Sequence, residues 1–337
     1  MVKTDIVIIG GGPVGIFTVF QAGMLGMKAV VIEALDYLGG QCTALYPEKP
    51  IYDIPAYPKV LSKDLINNLL EQAAPFNPSY LLGNKVEMIA QDSQGLWNIS
   101  TASGEQVQAK VIVIAAGCGS FGPNRLPLAE AGQFEGKSVL YFIDKKDHFK
   151  DKQVVIAGGG DSAVDWAIIL AELAKKVYVV HRRDKFRAFD NSVEQLHDCV
   201  KSGKVELVIP FQISGLKGYG STLSAVEVED MDGNKRVLPA DYLLPFYGLK
   251  MELGAILNWG LELQKNHLVV DASTMQTNLP GVYAVGDIAI YHNKLKLILT
   301  GFSEVALAMH NAYNIIFPNK ALHFEYSTTR GLPEATK

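Results

Sequence analysis

The apolar positions of this chain fall in short runs that meet glycine rather than charge. Residues 6–27 hold no charged side chain, and the run IVII is followed at once by three glycines, a proline and a second apolar stretch. An uncharged run of this length satisfies the hydropathy criterion for a membrane span. However, Gly10, Gly11, Gly12, Pro13, Gly15, Gly23 and Gly26 break it up and Asp5 precedes it, so the pattern predicts a buried strand, a tight turn and a helix. The same breaks weigh against a secretory leader, since no small-residue cleavage motif follows a clean apolar core. The β-branched run KAVVIEA then predicts a second strand.

The arrangement is written twice. DIVIIGGGPVGIFTVF followed by KAVVIEA is matched by QVVIAGGGDSAVDWAII followed by KVYVVHRR. Each copy reads as strand, glycine turn, apolar helix and second strand, the βαβ unit of a buried parallel sheet. In the first copy Gly10, Gly12 and Gly15 form G-x-G-x-x-G; in the second Gly158, Gly160 and Ala163 form G-x-G-x-x-A, with Asp161 and Ser162 opening the helix. The first glycine permits the tight turn, the second lets backbone approach a pyrophosphate, and the third position packs helix on strand. A pyrophosphate then rests on free N–H groups at the helix N-terminus. One such match is weak; two in the same context predict two dinucleotide sites.

At the same offset from the first glycine, the copies diverge. The first has Glu33, a carboxylate suited to ribose hydroxyls, and so to FAD or NAD. The second has His181 followed by Arg182, Arg183 and Arg187, whose guanidinium groups suit the 2′-phosphate of NADP. The bland alternative for HRR is a solvated strand end.

At 337 residues the chain is long for one domain, and 48% hydrophobic with 20% charged residues fits an ordinary globular protein. A formal net charge of -4 argues against a nucleic-acid partner. Cys42, Cys118 and Cys199 are far apart and match no metal-ligand or CxxC spacing; nor do the seven histidines. A reducing, cytoplasmic setting is expected, with no metal and no membrane association.

Together these motifs resemble the two-domain flavoprotein reductases, especially the thioredoxin-reductase-like branch. VIVIAAG (111–117) resembles the strand closing the first half of the FAD domain, and GVYAVGDIA (281–289) resembles the second FAD segment, ahead of a helix expected near Thr300. The resemblance implies an α/β fold of two Rossmann-like domains, for FAD and NADPH, the second inserted into the first. The expected boundaries are 1–120, 121–247 and 248–337, the last part ending in a flavin-covering tail. The dithiol positions of the family's two types fall here on Cys42 with Pro47, and on Tyr141 with Asp144, so no cysteine pair is available to relay electrons.

That departure narrows the resemblance to the thioredoxin-reductase-like ferredoxin–NADP+ reductases, carried by GGQCTALYPEKPIYDIPAYPK, GGGDSAVDWA, HRRDKFRA and NWGLEL. By that resemblance Tyr46 stacks on one face of the flavin and Tyr326 on the other, with Ser327 and Thr328 at the ring edge. Gln41 and Asp53 lie along the cofactor, Val86 meets the adenine, Phe121 lies near the flavin, and Asp287 binds the ribityl and phosphate region. The implied activity is hydride exchange with NADPH at flavin N5 and one-electron exchange with ferredoxin or flavodoxin, by a homodimer. Alternatives are an NAD(P)H oxidase, a quinone or disulfide reductase, and a flavin-binding redox sensor. An acidic partner needs a basic surface; Lys145, Lys146, Lys150 and Lys152 form one candidate, and Lys294 with Lys296 another.

Overall fold

Ile6–Ile9 consists only of β-branched residues, and all four are buried. Such a strand has no solvent face and belongs inside a parallel sheet. In the computed structural model, which describes residues 1–322 together with Thr328 and Gly331, it is the centre of a five-stranded sheet. The order is Val282–Ala284, Val111–Ile114, Ile6–Ile9, Ala29–Ile32, Ser79–Leu81, and every neighbouring pair is parallel. Helix Pro13–Met24 follows the central strand, with Gly12 at its N-cap and proline in its first turn, where a missing N–H costs nothing. A Cβ at Gly15 would run into the Gly10 carbonyl, so the helix approaches its strand more closely than any side chain allows.

The long helix Ile298–Ile316 starts two residues before the expected Thr300 and buries Val305, Ala308, Met309, Ala312 and Ile316, an apolar stripe at helical spacing. It lies against Pro13–Met24, with the Phe17 and Phe302 rings 4.7 Å apart. Val86–Gln91, Trp97–Thr101 and Gln106–Ala109 form an antiparallel meander, and Val2–Lys3 adds to its edge in parallel.

The chain divides into two units, Met1–Phe121 with Met251–Lys337, and Gly122–Lys250. The second unit repeats the plan at smaller scale. Its parallel sheet runs Val205–Val208, Lys176–Val180, Gln153–Ala157, Tyr242–Pro245, and helix Asp161–Ala171 follows Gln153–Ala157. Three antiparallel strands, Gln212–Tyr219, Thr222–Glu229 and Lys235–Pro239, complete it. Among the described residues no helix is long and apolar enough to cross a membrane.

Candidate functional site

In an open α/β sheet, ligands bind beyond the carboxyl ends of the strands. The residues leaving four strands of the five-stranded sheet, Gly10, Glu33, Ala115 and Val285, all line one cavity of about 530 Å³, within the usual range for a ligand site. Of the residues expected from sequence to hold FAD, Gly10, Gly12, Glu33, Gln41, Tyr46, Val86 and Asp287 line it. Gly15 lies beneath Gly10 as packing.

The glycine turn is built for close approach. Gly10 has φ +107, and a Cβ there would strike the Ala115 carbonyl. A Cβ at Gly12 would meet no atom within 4 Å, so the backbone there is open to the cavity. Gly11, which sequence reading passed over, has its own duty: its N–H donates to Glu33 Oε2 at 2.6 Å, and Leu35 N–H donates to Oε1 at 2.8 Å. A Cβ on Gly11 would collide with the Leu38 side chain and sit 3.2 Å from that carboxylate oxygen. The buried Glu33 is thereby fixed across the strand end. Gly39 N–H donates to the Gly11 carbonyl at 2.8 Å, and Gly40 lies against Gly12, so the glycine pair of GGQC is the lid of the GGG turn. The adjacent glycines were the signal for this, but not for the partner.

Tyr46, Cys42, Asp287 and Lys296 line the same cavity, and Cys118 lies between the lining residues Gly117 and Gly119 in sequence. The Cys42 thiol is 3.8 Å from the Tyr46 hydroxyl. Burial above all, then the neighbouring Cys42 and Asp287, pushes the Tyr46 phenol far above its ordinary range, so it stays protonated. Burial likewise raises the Cys42 and Cys118 thiols; both are free, as is Cys199. Gly286, with φ +75, turns the chain into Asp287. Its N–H donates to Glu304 Oε2 at 2.7 Å, while Glu304 Oε1 accepts from the Tyr291 hydroxyl at 2.7 Å and from the Lys294 ammonium. The side chains of Lys294 and Glu304 are only 4% and 2% exposed. The expectation of a basic surface pair is corrected here: Lys294 is an internal counter-ion, and of the two only Lys296 is exposed.

Other expectations also shift. Asp53 is exposed, in the tip between the short strands Pro50–Ile51 and Val60–Leu61, and is not in the cavity wall. Among the described residues no side chain covers that tip, and the placement of Asp53 along a cofactor remains an expectation from sequence. Thr328 is exposed. Tyr326, Ser327 and the Phe121 side chain lie outside the described residues. Sequence reading missed the wall formed by Leu253, Ala255, Ile256 and Trp259, part of which is a short 3-10 helix, Gly254–Asn258. Too short for a periodic signature, it carries no pattern that points to a site.

In the second unit, Gly158 and Gly160 repeat the roles of Gly10 and Gly12. A Cβ on Gly158 would come within 2.6 Å of the Phe246 carbonyl, and one on Gly160 would meet nothing within 4 Å. Ala163 is buried, and Asp161 and Ser162 are exposed at the helix start, where Asp161 Oδ1 accepts from Phe189 N–H at 3.0 Å. His181 lies across Gly159, where any Cβ would strike the imidazole, and stacks on Phe186 with centroids 5.4 Å apart. Its Nε2 is buried with no hydrogen-bond partner among the described residues, a polar atom suited to a polar ligand. Burial, and then Arg182, Arg183 and Arg187, hold its pKa below the ordinary value. All three arginines are exposed.

The two positions where the branch would carry its dithiol have structural duties. Tyr141 donates to Glu135 Oε1 at 2.6 Å and accepts from Leu126 N–H at 3.0 Å; burial and Glu135 push its phenol up to about 12. Asp144 is exposed, 3.7 Å from His148. Lys145, Lys146, Lys150 and Lys152 are exposed too, but Asp144, Asp147 and Asp151 interleave with them. Four lysines against three aspartates leave one net positive charge, a weak steering field.

Comparison with known proteins agrees with this geometry. The profile of the pyridine nucleotide-disulphide oxidoreductase family matches residues 4–312. The chain is similar to the ferredoxin–NADP reductase of Rickettsia rickettsii (strain Iowa), 55% identical over 338 residues covering 100% of this chain and 99% of that one. It is similar also to the ferredoxin–NADP reductase of Rickettsia felis, 57% identical over 97% of both chains. In fold it resembles the thioredoxin reductase of Lactococcus lactis, with TM-score 0.78 at 24% identity over 94% of this chain and 100% of that one. The thioredoxin reductase of T. acidophilum matches with TM-score 0.79 at 22% identity over 93% and 99%.

Proposed function

Because the chain belongs to the pyridine nucleotide-disulphide oxidoreductase family, and within it to the ferredoxin–NADP reductases, we propose that the residues assembled above divide the work of that reaction between two nucleotide sites. The enzyme transfers electrons between NADPH and ferredoxin and uses FAD as its cofactor. FAD supplies the conversion between the electron pair carried by NADPH and the single electrons carried by ferredoxin.

The cavity of the first unit fits FAD. Gly12 leaves open the place a pyrophosphate would fill, and the positive end of helix Pro13–Met24 faces it. Glu33, already holding two backbone N–H groups, keeps lone pairs for the adenosine ribose. Val86 bounds the adenine, Gln41 lies along the cofactor near the ring, and Asp287 binds the ribityl and phosphate region. Tyr46 supports one face of the ring system. The assignment of Tyr326 and Ser327 to the opposite face, and of Phe121 nearby, rests on sequence alone. In the second unit Gly158 and Gly160 admit the NADPH pyrophosphate, and His181 with Arg182, Arg183 and Arg187 holds the 2′-phosphate. Flavodoxin as a second acceptor, a homodimer, and a cytoplasmic setting complete the reading. Exposed Leu307 and Ile315 on the last helix support a second copy, and three free thiols support a reducing compartment.

The observation that carries this reading is the opposition of the two strand ends, acidic at Glu33 and basic at His181–Arg187, on otherwise matching glycine turns. With no paired cysteines, electrons pass from cofactor to partner without a protein relay. The test is NADPH-dependent cytochrome c reduction with and without ferredoxin, by the wild type and by a variant with Cys42, Cys118 and Cys199 all replaced by Ser. Stimulation by ferredoxin that survives in the FAD-loaded triple variant is expected. Loss of turnover in a folded, FAD-loaded triple variant would refute direct transfer.

A further inference from the structure

Lys296 lines the FAD cavity, and a second residue holds its ammonium. The Lys296 ammonium is 2.8 Å from Nε2 of His267, whose Nδ1 is 2.6 Å from the carbonyl oxygen of Lys265. A carbonyl can only accept, so Nδ1 carries the proton; an ammonium can only donate, so Nε2 carries a lone pair. In these contacts His267 donates through Nδ1 and accepts through Nε2, so the two partners together fix the ring's orientation. One of the three ammonium protons is used, and two remain for a ligand.

The support is a tight hairpin joined to the Gly286–Ile288 turn. Lys265 and Asn266 both have positive φ, 48 and 60, the two-residue turn that closes a tight hairpin. That hairpin pairs Leu263–Gln264 with His267–Val269, and the latter strand runs parallel to Ala289–Ile290, which directly follows the Gly286–Ile288 turn. Asp287 and the base of Lys296 are thus set by one small sheet. Lys296 lines the same cavity as Tyr46 and Asp287. Its charge acts on Cys118, which feels Asp287 as well, and Tyr46 feels both Cys118 and Asp287.

We propose that Lys296 is the cation serving the part of the cavity lined by Tyr46 and Asp287, that His267 is its positioning residue, and that the pair offsets the negative charge FAD gains on reduction. This rests on the assignment of the cavity to FAD. A fixed cation stabilises the reduced cofactor more than the oxidised one, and so raises its potential without tightening oxidised FAD to the same degree.

The experiment uses FAD-loaded enzyme and three variants, Lys296→Met, Lys296→Arg and His267→Phe, with the double variant Lys296→Met/His267→Phe. The readouts are the two-electron midpoint potential, the Kd of oxidised FAD for apoprotein, and the melting temperature. Lys296→Met is expected to weaken reduced relative to oxidised FAD about tenfold, a fall of about 30 mV, with oxidised affinity changed less than threefold. Lys296→Arg should recover most of this. His267→Phe should lower the potential part way, and the double variant no further than Lys296→Met, since the histidine acts only through the lysine. Should Lys296→Met fail to fold, His267→Phe supplies the same readout with the lysine in place. An unchanged potential, additive effects in the double variant, or a loss of oxidised affinity with no shift in potential would overturn the proposal. If wild-type apoprotein did not take up one FAD, the cavity assignment itself would fall instead.

Discussion

Removing the carboxylate of Glu304 tests whether the Gly286–Asp287 turn is held from behind. In Glu304→Ala, the Lys294 ammonium is left charged in a site where its side chain is 4% exposed, and Gly286 N–H and Tyr291 O–H each lose an acceptor at 2.7 Å. Breaking a buried pair by deleting one partner costs about 3–5 kcal/mol. For a unit of about 200 residues, each kcal/mol shifts the melting temperature by about 2–4 °C, so a fall of roughly 6–20 °C is expected. In the double variant Glu304→Leu/Lys294→Met no charge is stranded, and the residual cost is that of the orphaned Gly286 N–H and Tyr291 O–H, about 1–3 kcal/mol for each one that stays buried. The double variant should therefore be more stable than the single one. Thermal unfolding followed by circular dichroism, and by the rise in FAD fluorescence on release, measures both. If Glu304→Ala melted within about 2 °C of wild type, or the double variant were the less stable, the buried pair would not be what fixes the turn.

Arg182→Ala with Arg183→Ala should raise KM for NADPH by roughly 10- to 150-fold, from about 1.5–3 kcal/mol of lost charge-assisted bonding, while KM for NADH changes little; equal losses in steady-state assays would refute the phosphate assignment. Gly12→Val places its side chain where a Cβ meets nothing within 4 Å, so the apoprotein should keep its melting temperature while FAD affinity, read by fluorescence titration, falls at least tenfold; normal FAD binding would exclude this turn from the cofactor site. Because burial, then the three arginines, lower the His181 pKa in the folded state, its contribution to stability is complete above the ordinary value of about 6.5 and is lost as pH falls through the lower folded value. Urea unfolding of the NADPH-free protein between pH 7 and 5 should be less pH-dependent in His181→Asn, and an identical slope would contradict the shift.

The parallel strands were legible because Ile6–Ile9, Val111–Ile114 and Gln153–Ala157 have apolar side chains on both faces and end at glycine or alanine. No arrangement but a covered parallel sheet suits such runs. The glycine turns were legible for the same reason: a φ of +107 beside a carbonyl leaves no room for a side chain. Lys294 was not legible, because a lysine two residues from another lysine reads as surface, and its counter-ion Glu304 lies on a helix that sequence alone reads as ordinary. The acid was equally misleading, since a glutamate inside the apolar stripe of Ile298–Ile316 looks like an exposed position. Only the fold brings Glu304, Tyr291 and the Gly286 N–H to one point. His267 was not legible as more than one of seven histidines without metal-ligand spacing; its contact with Lys296 follows from the Lys265 carbonyl, a backbone atom the sequence does not advertise.

The two nucleotide turns show how one backbone serves opposite charges. Both middle glycines, Gly11 and Gly159, face the residue at the strand end: a Cβ on Gly159 would strike His181, and one on Gly11 would collide with Leu38 and crowd Glu33. In the first copy the short distance lets the turn donate: Gly11 N–H and Leu35 N–H bind the carboxylate and fix its direction. In the second copy the turn accepts, Arg187 N–H donating to the Gly159 carbonyl at 2.7 Å. The arginine segment is thereby drawn over the glycine turn, and the neutral ring of His181 lies flat between Gly159 and Phe186. The polarity of the backbone contact has changed along with the side chain. Charge selection at each site is thus a property of the turn, the strand end and the following loop together: the first arrangement supplies two N–H donors to an acid, and the second supplies a carbonyl to anchor a basic loop.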